Sequence, residues 1–135
     1  MSTVKEQQFE ALEMKRDRYD LIINGERTAS STGVTFTTFN PATGEAIAEV
    51  AKASKEDTER AVQAARHAFD HGKWKLFPVN KRSRTLNKIA SIMRARFNEL
   101  VELEILDTGK SLAAAQGQVM QAIEDFEFYA GAIVG

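Results

Sequence analysis

The spacing of apolar and polar positions divides the chain into a β-rich front and a helical remainder. Residues 19–23 (YDLII) read as a strand, and Asn24-Gly25 supplies the positive φ angles of a type I′ hairpin turn. A second strand is therefore predicted to return from Glu26. Residues 30–33 interrupt the pattern, and the β-branched and aromatic run VTFTTF opens a new strand at Val34. Asn40-Pro41 ends it, because proline offers no backbone donor and biases its predecessor to extended geometry. Gly44 permits a turn into GEAIAEVAKA, where Ala46, Ala48 and Val50 alternate with Ile47, Glu49 and Ala51, as in a half-buried strand.

From Ser54 the period becomes helical. Ser54 and Asp57 form an S-x-x-D start that sets a hydroxyl and a carboxylate against the orphan amides of a first turn. Ala61, Val62, Ala65, Ala68 and Phe69 then make one stripe, whose alanine content predicts close packing on another layer, and Gly72 suits the C-cap. A connector over residues 73–79 holds Trp74, Phe77 and Pro78. A second helix is predicted from about Asn80, with Leu86, Ile89, Ala90, Met93 and Phe97 on one face. Asn98 reads as the cap of a short third helix through Leu100, Val101 and Leu103 to Leu106, stopped by Asp107-Thr108-Gly109. A fourth, from about Ser111, carries Leu112, Ala115, Val119, Ala122, Ile123, Phe126, Ala130 and Ile133 on one side. Ahead of all this, residues 1–18 form a charged lead-in whose Phe9, Leu12 and Met14 suit a frayed segment or a short docked helix.

Composition narrows the functional classes. At 135 residues the chain is one domain's worth, 43% hydrophobic and 27% charged, as is ordinary for a globular protein. A net charge of -1 gives no global pull towards nucleic acid or an anionic membrane. The absence of cysteine excludes disulfides, thiolate metal sites and a cysteine nucleophile within these residues. Residues 1–18 lack the apolar stretch of a signal peptide, and no run approaches the roughly 18 apolar residues of a membrane span. The cytoplasm is the expected location.

The chemistry-bearing candidates are few. The glycines do not form G-x-G-x-x-G or a phosphate loop, and neither G-x-S-x-G nor H-E-x-x-H occurs. His67 and His71 stand at i, i+4 on one helix, a spacing two metal ligands can use. Asp70 is the only acid beside them and their face is otherwise polar, which favours a solvated surface. The acid-free run over residues 81–96 (Lys81, Arg82, Arg84, Lys88, Arg94 and Arg96) could meet phosphates. Acids follow it at once and only Phe97 supplies an aromatic, so a solvated or subunit-facing surface is favoured over nucleic acid. Glu124, Asp125 and Glu127 read as the wet face of the last helix.

The run FTTFNPATGEAIAEVAKASKEDTERAVQAARHAF resembles the N-terminal region of the aldehyde dehydrogenase superfamily. Other pieces resemble it in the same order: LIINGE as an opening hairpin, Trp74, Arg82 and Leu86 as a W…R…L pattern, ELEILDTGK as E-x-x-x-D-x-G-K, and the late YAG. LFPVN, over residues 76–80, departs from the more polar connector usual there. The resemblance spans residues 19–135 and implies an α/β family fold of Rossmann type. This chain would supply only an N-terminal α+β piece of it, β-hairpin strands followed by three or four helices. Residues 19–135 would then be an incomplete NAD(P)-binding domain.

In that family the resemblance implies oxidation of an aldehyde to a carboxylate with NAD or NADP, by a cysteine thiolate, an oxyanion-stabilising Asn and a general-base Glu. Those groups and the nucleotide-binding glycine segment are expected beyond Gly135, which follows apolar Ile133-Val134 without a closing element. No catalytic or coenzyme-binding residue carries over, and the chain by itself is expected to be inactive. The resemblance also implies a monovalent cation near Thr38, the backbone carbonyl of Phe39, and Asp107. The alternative is that Asp107 simply caps or hydrogen-bonds a loop. Implied partners are a small aldehyde substrate, a second copy or the remaining dehydrogenase segment, with neither nucleic acid nor membrane. A different class of reading is a stand-alone helical interaction module, supported by the apolar stripes.

Overall fold

The computed structural model describes residues 16–134, so the predicted character of the lead-in lies almost wholly outside the described residues. Leu21–Ile23 (β2) and Glu26–Thr28 (β3) form the expected antiparallel hairpin, turning through Asn24 and Gly25 at φ 54° and 81°. The single strand expected over residues 19–23 is corrected to two. Arg18–Tyr19 (β1) belongs to another sheet, paired parallel with Ala46–Ala51 (β5), and Asp20 separates it from β2. Alternation along a sequence reports which side chains share a face. It does not report which neighbour each half of a short strand will bond.

Thr35–Phe39 (β4) pairs antiparallel with β5, so the main sheet has the order β1-β5-β4. The Asn-Pro turn between them closes as its residue types require. The Gly44 amide donates to the Asn40 carbonyl at 2.7 Å, the Asn40 amide donates to the Glu45 carbonyl at 2.9 Å, and Asn40 Oδ1 accepts from the Ala42 amide at 2.9 Å. Gly44 sits at φ 74°, in the left-handed region. On one face of the sheet, Glu49 accepts from the hydroxyl of Thr35 at 2.7 Å and from that of Thr37, which holds its carboxyl below the ordinary value.

Lys55–His71 (α1) begins on a reciprocal cap. Ser54 Oγ accepts from the Asp57 amide at 3.1 Å, and Asp57 Oδ2 accepts from the Ser54 amide at 3.0 Å. Asp57 is 1% exposed and does more than cap. Its carboxylate also accepts from the Ser31 amide at 3.1 Å and from the hydroxyls of Ser30 and Ser31, each at 3.2 Å. This joins the loop after β3 to the start of the helix. The close of α1 needs Gly72 for space: a Cβ there would stand 2.0 Å from the Ala68 carbonyl oxygen, which accepts the Gly72 amide.

The stripe on α1 forms but is not packed closely on another layer, contrary to the expectation from its alanines. Ala61 and Ala64 are half-buried, whereas Ala65 and Ala68 are exposed and Val62 and Phe69 are 62% and 72% exposed. Helical spacing defines an apolar face without naming what covers it.

After a 3-10 turn at Trp74–Leu76 come Val79–Ala95 (α2), Phe97–Thr108 (α3) and Leu112–Ala132 (α4). Ala90, Val101, Ala115, Val119 and Ile123 are buried together, with Met93, Phe97, Leu100, Ile105 and Phe126 packed around them. Small residues at the α2–α4 contact, Ala90 and Ala115, let the helix axes approach closely. Ser111 caps α4, accepting from the Ala114 amide at 3.4 Å. Asn98 does not cap α3. The helix starts two residues earlier, at Phe97, with Arg96 in the N-cap position, because α2 leads straight into it and the Arg96 carbonyl already accepts the Leu100 amide at 3.0 Å.

Hydrogen bonds hold the Asp57 carboxyl well below its ordinary value of 3.8, chiefly the one from the Ser54 amide. Below that pH the unfolded chain takes up a proton that the folded chain refuses, so this contribution is present above about 3.8 and fades as acid increases. Asp57→Asn is expected to lower the urea midpoint at neutral pH, with the gap to wild type narrowing between about pH 5 and pH 2. A gap that stays constant across that range would show that the charge of Asp57 is not what matters.

Candidate functional site

Two turns that lie far apart in sequence meet beside the β4–β5 hairpin. One is the Asn40–Gly44 turn; the other is the Asp107-Thr108-Gly109 stop after α3. Gly109 occupies φ 69°, and a Cβ on it would meet Pro41 Cγ at 2.8 Å. Glycine is thus required for both the left-handed backbone and the close approach. Just past the turn, Lys110 Nζ donates to Glu104 Oε1 and to Gln118 Oε1, both at 2.6 Å, which secures the segment to α3 and α4.

This approach brings two of the expected cation ligands together. Thr38 Oγ1 donates to Asp107 Oδ1 at 3.3 Å across 69 residues of sequence. Phe39 follows Thr38 in β4, its side chain 55% exposed. The Asp107 carboxylate is exposed, and the Thr38 hydroxyl is its one hydrogen-bond partner among the described residues. A carboxylate beside a hydroxyl is a pair of hard oxygen ligands carrying one negative charge. The same contact equally serves the alternative, in which Asp107 ties a loop.

The other candidates do not assemble into sites. His67 and His71 have ring centroids 5.0 Å apart on an exposed face, and Asp70 is taken up by Arg66. Among the described residues no group of three or more His, Cys, Asp or Glu side chains could hold a metal ion. In the basic run, Arg94 pairs with Glu127 and Arg96 with Glu99, each at 2.8 Å, which lowers the charge available to a phosphate backbone. Glu124, Asp125 and Glu127 are all exposed. No described helix is long and apolar enough to cross a membrane.

Two positions that organise the fold do more than their sequence reading assigned. Asp57 was expected to cap α1, but its bonds to Ser30 and Ser31 span 27 and 26 residues and leave no periodic signal. Gly109 was expected only as a helix stop. The closeness of Pro41 emerges when the hairpin and the helices are placed together.

Residues 28–134 match the model of the aldehyde dehydrogenase family. The chain is 44% identical over 110 residues to a malonate-semialdehyde dehydrogenase of Bacillus pumilus, covering 82% of this chain and 22% of the relative. It is 39% identical over 116 residues to a mitochondrial benzaldehyde dehydrogenase of Antirrhinum majus, covering 84% of this chain and 22% of the relative. A crystal structure of an NAD-dependent aldehyde dehydrogenase from Sinorhizobium meliloti superposes with a TM-score of 0.81 at 33% identity, over 86% of this chain and 23% of that one. The NAD+ complex of an aldehyde dehydrogenase from Bacillus cereus gives a TM-score of 0.81 at 33% identity, over 97% of this chain and 26% of that one. The chain belongs to the aldehyde dehydrogenase family, an α/β fold of which it supplies an N-terminal portion. It spans under a quarter of the length of these two named relatives.

Gly109→Ala is expected to destabilise the chain by about 1–2 kcal/mol from the left-handed backbone alone, with the Pro41 contact adding to it. Urea unfolding measures this directly. A loss no larger than a few tenths of a kcal/mol would mean that the two turns are not locked together as described.

Proposed function

We propose that residues 19–135 are the incomplete N-terminal part of the coenzyme-binding domain of an NAD- or NADP-dependent aldehyde dehydrogenase. On this reading the whole enzyme oxidises a small aldehyde to its carboxylate in the cytoplasm, and the coenzyme accepts the hydride. The present residues act as scaffold, with the β4–β5 hairpin and the α2–α4 layer flanking the sheet that carries the coenzyme. One observation supports inactivity of the 135-residue chain above the others: it contains no cysteine, so it has no thiolate to attack an aldehyde carbonyl. The purified chain is expected to form no NADH or NADPH from aliphatic or aromatic aldehydes at any pH between about 6 and 9, a range in which a thiolate enzyme would turn over. Reproducible turnover above a protein-free blank, surviving repeated purification, would overturn the inactivity.

The reading extends to the cation. Thr38 and Asp107 would hold a monovalent ion with the carbonyl of Phe39, joining β4 to the end of α3, and a further ligand would come from outside these residues. In thermal melts at constant ionic strength, replacing N-methylglucamine chloride by potassium chloride is expected to raise the midpoint of wild type and leave Asp107→Asn unmoved. Equal responses from the two proteins would reduce Asp107 to a loop-tying residue.

A further inference from the structure

The start of α2 is electrostatically one-sided. Val79–Ala95 has no acidic residue, and Pro78 gives it no side-chain cap. The N-terminus of a helix carries partial positive charge, so Lys81, Arg82 and Arg84 crowd cations where an anion would be favoured. At the far end of the basic run the charges are answered, Arg94 by Glu127 and Arg96 by Glu99. Arg82 has no such answer. Its Nε is buried and has no hydrogen-bond partner among the described residues. Buried polar atoms are almost always paired, and a guanidinium drawn out of water needs a counter-charge.

The surroundings say what kind of acceptor would fit. Lys81 Nζ lies 3.6 Å from the centroid of the Phe77 ring, which in turn meets Trp74 edge-on at 6.2 Å. Trp74, Leu76 and Val79 leave apolar surface in water, at 45%, 75% and 39% exposure, and Val79 stands one helical turn before Arg82. A free phosphate would satisfy the charge and leave that apolar rim wet. A polypeptide segment satisfies both.

We propose that Arg82 anchors a carboxylate side chain of the polypeptide that completes the subunit, with Trp74, Leu76 and Val79 covered by the same segment. The inference rests on the reading of the chain as part of a longer enzyme, since relatives of which it spans 22% have ample further sequence to supply the segment. Through its two terminal nitrogens, a guanidinium can bind a carboxylate with two parallel hydrogen bonds, which a lysine cannot do.

Two measurements on the 135-residue chain test this without any assay of activity. The first is the urea midpoint of Arg82→Met, which is expected to rise above wild type because an unpaired, partly buried cation is removed. A midpoint that falls would show that Arg82 serves this chain internally, and would overturn the proposal. The second follows the Arg82 Nε–H resonance, identified by its absence from Arg82→Lys, during titration with N-acetylglutamate N-methylamide. A saturable shift is expected that the glutamine analogue does not produce. No shift, equal shifts from both compounds, or a larger response to inorganic phosphate would each overturn it. Failure of the incomplete-enzyme reading would show instead as aldehyde turnover by the 135-residue chain, so the two are separable.

Discussion

The carboxylate of Asp57 holds the β-rich front of the chain to its first helix. It is buried between Ser54 at the helix cap and Ser30 and Ser31 in the loop after β3, and each of those residues donates to it. A carboxylate so enclosed must stay charged to keep these bonds, because its protonated form accepts fewer of them. The end of β5 and the start of α1 are therefore fixed relative to the loop that follows the hairpin. The β4–β5 hairpin hangs from the same point, and with it Thr38, the front half of the candidate cation site. The other half is placed independently, by the packing of α3 and α4 and by Lys110 reaching Glu104 and Gln118. Pro41 against Gly109 is where the two parts meet.

What the sequence reveals and what it withholds follow from the range of each interaction. The Asn24-Gly25 turn, the Ser54 cap, the Gly109 stop and the apolar face of α2 are local. Each is decided within a few residues and each is legible in the chain. The parallel pairing of β1 with β5 and the bonds of Asp57 to Ser30 and Ser31 join segments more than twenty residues apart, and alternation carries no trace of them. The Asn98 cap failed for a local reason of a different kind: α2 runs almost directly into α3, and Arg96, whose amide still bonds back to the carbonyls of Ile92 and Met93, takes the N-cap position. For the candidate site, the wording of the family resemblance pointed to Thr38, Phe39 and Asp107, and the fold brings Thr38 and Asp107 within hydrogen-bond distance. Residue chemistry by itself would have left Asp107 as one acid among many.

The surface of the structure is more informative than its core. A helix stripe that is apolar at Val62 and Phe69 yet mostly in water, and a guanidinium that is partly buried yet unpaired, are opposite failures of the same rule. Apolar groups gain by leaving water, and polar groups leave it only in company. Covering Val62 and Phe69 would contribute about 1.5–3 kcal/mol each. Set against a net stability of about 5–15 kcal/mol for an ordinary domain, two such residues and an unanswered cation are not small terms. The local signals in this sequence build the strands and helices; closing the remaining faces takes a second surface that is apolar opposite α1 and carries a carboxylate opposite Arg82. Relatives several times longer show where such a surface could come from.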